Sequence, residues 1–334
     1  MTICMPAEWE PHEWLWIGFP WNPTEWGGAE TLARAQAQIC AFADAVRAGG
    51  RGEPVRLVCN DEASANLARK LLKSDAQIII ERIGDVWLRD TGPICVKDAA
   101  GQRSLVDFAF NSWGGKYQMP GDEDIGARLA ATTPLPCQST SFIFEGGAVD
   151  TDGTGLFVTT EDCLLNPNRN PGLSKRQIET LLAGALGLTD MLWLGDGLVN
   201  DHTDGHVDNL ARFVAPGVIA IPQATSDDDP NAAIYADATT RARAHGLTIA
   251  PMSSPGRVEM EGEIIPASYM NFFIGNAAVV VPIYGQPNDD AAIEALRPFF
   301  PNRDIVPLPS DAILAGGGSF HCTSQHMPSA GTAS

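Results

Sequence analysis

The chain has 334 residues, enough for one large domain or two ordinary ones, and Asp+Glu 41 against Lys+Arg 22 give it a formal charge of −19. So acidic a chain excludes nucleic acid and anionic membrane as partners, because both need a basic face, and it favours a small cationic ligand. Seven scattered cysteines with no C-x-x-C pair read as reduced thiols of a cytosolic protein, in which a homo-oligomer stays possible.

The N-terminus, Met1-Thr2-Ile3-Cys4-Met5-Pro6 followed by Glu8, Glu10 and Glu13, has neither the basic nor the apolar region of a signal peptide. No stretch approaches the roughly 20 apolar residues that span a bilayer. Trp9, Trp14 and Trp16 read as a packing cluster, and His12 as structural. Amphipathic periodicity predicts helices over Thr31 to Ala48, Glu62 to Leu72, Ser174 to Leu186, Asn231 to Ala244 and Asp289 to Phe299. Ser174 and Gln177 spell a capping box. Between the helices lie short apolar runs at Val55–Cys59, Ile78–Ile80, Phe142–Phe144, Met191–Leu194 and Val279–Val281. The alternation means an α/β architecture.

Each helix leads to a strand and then to a Gly- or acid-rich turn: Gly84–Pro93, Glu145–Gly147, Asp204–Asp208, Pro266–Asn271 and Gly316–Cys322. The turns recur every 50–65 residues or so, the period of propellers and arrays. Five such units fill residues 1–334, so the expectation is one domain of fivefold pseudosymmetry, with a loose tail from about 328 to 334 and all five turns facing one cavity. Two doubly wound halves are the competing organisation, but no G-x-G-x-x-G follows any strand.

The turns carry the chemistry. Gly316-Gly317-Gly318 strips side chains from the backbone just before Cys322, a candidate nucleophile. His206 and Asp208 stand two apart, on one face if the segment is extended. His321, beside the cysteine, would by the same alternation point away, and His245 reads as structural. If the turns converge, Asp90, Glu145, His206, Asp208 and Cys322 share a pocket with Trp87 and Trp113. Carboxylates so crowded repel one another unless a cation sits among them, and a guanidinium offers its fork of N–H donors to just such a set. Indole faces add stacking on that plane. A thiolate could then attack the guanidinium carbon while His206 first gives and later takes a proton, without metal or cofactor.

Motifs along nearly the whole chain resemble the agmatine deiminases, within the guanidino-modifying enzymes that include bacterial peptidylarginine deiminases. They are Met5-Pro6-Ala7-Glu8-Trp9-Glu10-Pro11-His12, Asp85-Val86-Trp87-Leu88-Arg89-Asp90-Thr91-Gly92-Pro93 and Phe110-Asn111-Ser112-Trp113-Gly114-Gly115, then Glu145-Gly146-Gly147, Cys163 to Pro171, Gly205-His206-Val207-Asp208-Asn209 and the cysteine turn. The resemblance implies a pentein-like fivefold α/β propeller that converts agmatine and water to N-carbamoylputrescine and ammonia. By motif it makes Cys322 the nucleophile, His206 the general acid/base, Asp90 and Asp208 the guanidinium-binding acids, and Glu145 the acid orienting His206 or the substrate. Trp87, Trp113, Asp204 and Gly318 complete the expected substrate contacts. Where plant-type members have an Asn, this chain has Ser319, and it lacks an acid found near His202.

Three alternatives remain. A deiminase of the same group could act on peptidyl-arginine or another arginine derivative. A metal-dependent hydrolase could ligate its ion with His202, His206 and Asp208, if a helix ran through them. A non-catalytic guanidine or polyamine binder would have no use for Cys322.

Overall fold

The computed structural model describes residues 3–331. Its sheets repeat one motif five times: a strand, an antiparallel neighbour, a helix, and a third strand parallel to the second. In the first unit Ile94–Asp98 pairs antiparallel with Arg103–Ala109, and helix Ile125–Ala131 crosses to the parallel strand Cys137–Ile143. The second runs Asp150–Thr151, Leu156–Thr160, helix Lys175–Leu186 and Asp190–Leu194. The third is Arg212–Ala215, Val218–Gln223, helix Ala232–Ala244 and Thr248–Ser253. The fourth is Phe273–Ile274, Ala278–Ile283, helix Asp289–Leu296 and Asp304–Pro309.

The fifth unit joins the two ends of the chain. Ser324–Pro328 pairs antiparallel with His12–Gly18, helix Ala29–Arg47 follows, and Val55–Cys59 adds in parallel. This unit gains a fourth strand, Gln77–Ile80, through helix Glu62–Leu71, and the first unit gains one at its other edge, where Ile3–Cys4 pairs antiparallel with Ile94–Asp98. Because its first strand comes from the C-terminal end, the ring closes by sheet hydrogen bonds. Pro328, expected in a tail, ends that strand, and Ser329 N–H donates to Pro11 O at 2.7 Å. Residues 332–334 of the expected tail lie outside the described residues.

Local chemistry sets the elements. Helix Lys175–Leu186 starts at Ser174, whose N–H and hydroxyl both donate to Gln177 Oε1, and stops at Gly187 with φ 80°. Its buried Ile178, Leu182 and Leu186 recur every fourth residue and face the sheet. The buried apolar side chains of the described residues form five clusters, one under each unit's crossover helix. The ends of the expected helices fall within three residues of the observed ones, and Phe144 falls just past its strand. No helix among the described residues is long and apolar enough to cross a membrane.

One short turn precedes the first strand of every unit: Leu88–Thr91, Gly146–Ala148, Val207–Asn209, Tyr269–Asn271 and residues 319–323. Each of the first four packs against the next, and His321 N–H closes the series by donating to Asn271 O at 3.2 Å. The five turns surround one axis.

Candidate active site

Those turns bring Asp90, Glu145, His206, Asp208 and Cys322 together, all buried. Asp90 accepts from Trp113 Nε1 at 2.9 Å through one oxygen and from Gly147 N–H at 3.0 Å through the other. A side chain at Gly147 would put its Cβ 2.6 Å from His206 Nδ1 and 2.8 Å from Asp90 Oδ1, so only glycine lets the second turn approach. Ser112 and Trp113 hold positive φ of 60° and 51°, strain that aims the indole at Asp90.

His206 sits between carboxylates. Its Nε2 meets Glu145 Oε2 at 3.1 Å, and its Nδ1 lies 3.5 Å from Asp90 Oδ1. Burial alone would lower its pKa, but Asp90, Cys163 and Glu145 together raise it well above the ordinary value, so the ring is imidazolium at neutral pH. Arg169 anchors the acid behind it, Nε donating to Glu145 Oε1 at 2.6 Å. Although burial raises the Glu145 pKa, His206 and Arg169 outweigh it and keep the group ionised.

Cys322 Sγ lies 3.5 Å from Asp208 Oδ2 and 2.9 Å from Asn271 Nδ2. Burial first, then Asp208 and Asp90, push its pKa well above the ordinary thiol value, so the resting side chain is a neutral thiol. Burial likewise lifts Asp90 to about 6. Two buried polar atoms at this place have no hydrogen-bond partner among the described residues, His206 Nδ1 and Asp208 Oδ1. Above them opens a pocket lined by Trp87, Trp113, Tyr117, His202, Gly317 and Cys322, among others. Trp87 is backed by Trp26, the rings stacked at 6.1 Å. Gly318 lies under the nucleophile, where a Cβ would stand 2.7 Å from Trp87 and 3.1 Å from Cys322 Sγ.

Two sequence-based assignments need correction, those of Asp204 and His321. Asp204 is engaged elsewhere: its oxygens take Lys116 Nζ at 2.8 Å, Asn168 Nδ2 at 3.0 Å and Arg169 Nη1 at 2.6 Å, so it braces Arg169 rather than meeting a ligand. His321 does not point away. Residues 319–323 form a turn, with Thr323 N–H donating to Ser319 O, so strand alternation fails there. Its Nδ1 meets Asp208 Oδ2 at 2.7 Å and its Nε2 meets Glu8 Oε2 at 3.0 Å. The helix required for metal ligation by His202 and His206 is a turn with Asp204 at φ 63° and Gly205 at φ 86°. Among the described residues one other trio, Glu145, Cys163 and His206, has ligand atoms close enough for an ion, but Arg169 already supplies positive charge at Glu145.

The sequence reading missed Asn271, Arg169, Cys163, Glu8, Arg89 and Arg212. Arg169 carried a signal, since it falls inside the quoted Cys163–Pro171 motif. Asn271 ends a turn that had been singled out, but an amide announces no chemistry.

Known proteins bear on this geometry. The model of the Porphyromonas-type peptidyl-arginine deiminase family matches residues 4–328. The chain belongs to that family. The agmatine deiminase of Stutzerimonas stutzeri is 36% identical to it, the match covering 97% of this chain and 95% of that one. An Enterococcus faecalis agmatine deiminase superposes with TM-score 0.90 at 32% identity, covering 98% of this chain and 96% of the other. A cysteine-to-serine variant of the C. jejuni agmatine deiminase, solved with substrate bound, gives TM-score 0.91 at 28% identity, covering 98% and 97%.

Proposed function

We propose that residues 1–334 act as one deiminase domain that hydrolyses agmatine to N-carbamoylputrescine and ammonia through a covalent adduct on Cys322. The observation that carries this reading is the pairing of a buried nucleophile with two unsatisfied polar atoms, Asp208 Oδ1 and His206 Nδ1, at the floor of an aromatic-walled pocket. Buried polar groups are normally paired, so Asp208 Oδ1 awaits a donor, and the protonated His206 Nδ1 awaits an acceptor, which a substrate nitrogen becomes once the guanidinium carbon is attacked. A guanidinium supplies N–H donors to Asp208 and Asp90, and its charge offsets the carboxylates that keep Cys322 protonated. Substrate binding therefore favours loss of the thiol proton.

The thiolate forms a C–S bond to the guanidinium carbon. His206, held as imidazolium, protonates one nitrogen, the C–N bond breaks, and ammonia leaves an S-alkylthiouronium adduct. A water then attacks the carbon, His206 takes one of its protons, and cleavage of the C–S bond frees the ureido product as the second proton passes to the leaving sulfur and restores the thiol. Trp87, Trp113 and Tyr117 flank the substrate chain with faces that suit methylenes and a distal ammonium. Among the described residues no Lys or Arg side chain lines the pocket, so the carboxylate of free arginine finds no ammonium or guanidinium partner there. The names of the similar proteins agree with this reading.

The test is ammonia release from agmatine and from free arginine by wild-type protein and Cys322→Ser. Agmatine should have a kcat/KM at least about 100-fold above that of arginine, a difference of about 2.7 kcal/mol, and the variant should lose at least about 1,000-fold on agmatine. A ratio near one, or one favouring arginine, overturns the substrate assignment. A variant that keeps a substantial fraction of the rate overturns the covalent step.

A further inference from the structure

The fourth turn differs from its four counterparts in that neither it nor the residue before it carries a charged, thiol or imidazole group. It presents Asn271, buried and in contact with the sulfur. We infer that the Asn271 carboxamide is the built-in donor that holds the Cys322 thiolate, and that Asn209 of the third turn, behind it, fixes its orientation. This deepens the proposed function, since it rests on Cys322 as the nucleophile.

The hydrogen-bond pattern determines which way the amide faces. Cys322 N–H lies 3.2 Å from Asn271 Oδ1, and only an oxygen can accept there. Nδ2 must therefore be the atom 2.9 Å from Cys322 Sγ and also 2.9 Å from Asn209 Oδ1. Asn209 is oriented in turn, because its Nδ2 stands 3.2 Å from the acceptor-only carboxylate of Asp201. Each of the two Nδ2 hydrogens then has one acceptor: one the Asn209 oxygen, the other the sulfur. An amide with a free rotor could turn its oxygen to a thiol; this one cannot.

A donor fixed on sulfur favours the thiolate over the thiol. It opposes the effect of burial and of the Asp208 and Asp90 carboxylates without adding charge. A Lys or Arg at this place would also stabilise the thiolate, but it would pair with the same acids and compete with a guanidinium for them. A neutral donor avoids that conflict. The amide also ties the fourth and fifth turns together, so the nucleophile is held from a neighbouring unit rather than from its own.

The experiment is alkylation of Cys322 by iodoacetamide between pH 7 and pH 10, followed peptide by peptide, in wild type, Asn271→Asp and Asn271→Ala, with Cys137 as the exposed internal control. Asn271→Asp keeps the shape and the acceptor for Cys322 N–H while replacing the donor. Both variants should alkylate Cys322 at least about tenfold more slowly at pH 8, equivalent to a one-unit rise in thiol pKa. In Asn271→Ala the deficit should narrow as the pH rises, kcat for the guanidine should fall in parallel, and Cys137 should be unaffected. Equal Cys322 rates in wild type and both variants, or a deficit that stays constant with pH, would overturn the inference. Alkylation needs no substrate, so a shifted profile in a protein that hydrolyses no guanidine would sink the proposed function and leave this inference standing.

Discussion

Two layers of buried charge meet at His321, the lower around Glu8 and the upper around Asp208, and they obey opposite rules. In the lower layer every charge is matched. Glu8 takes Arg212 Nη2 at 2.8 Å, Arg89 Nη2 at 3.1 Å, His321 Nε2 at 3.0 Å and the Ile274 N–H at 2.8 Å, contacts drawn from four of the five units. Arg212 adds Asp150 at 3.2 Å and the Phe272 carbonyl at 2.9 Å. In the upper layer Asp90, Asp208 and His206 crowd together with polar atoms unmatched. His321 joins the two, holding Asp208 from below. The lower layer spends its charges on binding the units to one another; the upper one reserves them for a ligand. Breaking a buried ion pair is strongly destabilising, whereas removing an unmatched charge is not.

That contrast can be broken most severely at Arg212. Arg212→Met leaves buried Asp150 without its cation and takes one of the cations from Glu8, and it should lower unfolding free energy by about 3–5 kcal/mol. A denaturant titration that shows less than about 1 kcal/mol would mean that the lower layer does not hold the ring together. Asp90→Asn probes the upper layer with the opposite signature. It removes a charge that burial already disfavours, but the amide can accept from only one of Trp113 Nε1 and the Gly147 N–H, so stability should fall by about 1–2 kcal/mol, less than at Arg212. Its kcat/KM for agmatine should drop at least about 100-fold, about 2.7 kcal/mol. Loss of stability with little loss of activity would place Asp90 in the structural layer instead.

Sequence reading reached the upper layer far better than the lower one, for a physical reason. Reactive groups concentrate in turns flanked by glycine, and the turns recur at a fixed period, so Asp90, Glu145, His206, Asp208 and Cys322 could be grouped before any coordinates. Glu8, Arg89 and Arg212 sit far apart along the chain, on a loop, a helical turn and a strand, where a charged residue reads as solvated. Their pairing exists only once the ring has closed through Ser324–Pro328 and His12–Gly18. His321 was misjudged because alternation was assumed across a turn. Asp204 was misjudged because its local context of acids gives no sign of Arg169 and Lys116, which arrive from other segments.

A third buried acidic site follows neither rule and yields the smallest effect. Asp122 accepts Gly84 N–H at 2.8 Å and Asp85 N–H at 3.3 Å through Oδ1, while Oδ2 has no partner among the described residues. Asp85 accepts from Trp26 Nε1, behind the pocket wall. Burial, with no cation at hand, lifts both carboxyls to about 7. The folded state then binds protons that the unfolded chain has released, so these groups cost stability as pH rises from the unfolded pKa near 4 to the folded value near 7. The slope is at most about 1.4 kcal/mol per pH unit for one carboxyl. Asp122→Asn keeps the acceptor for both amides and cannot ionise. Below about pH 4 it should match wild type, and above that its advantage should grow until about pH 7 and then level off. Urea titrations of both proteins at pH 5, 6, 7 and 8 would show the widening gap. A gap that stays flat across that range would mean that Asp122 is ionised in the folded protein, with a compensating partner of the kind that defines the lower layer.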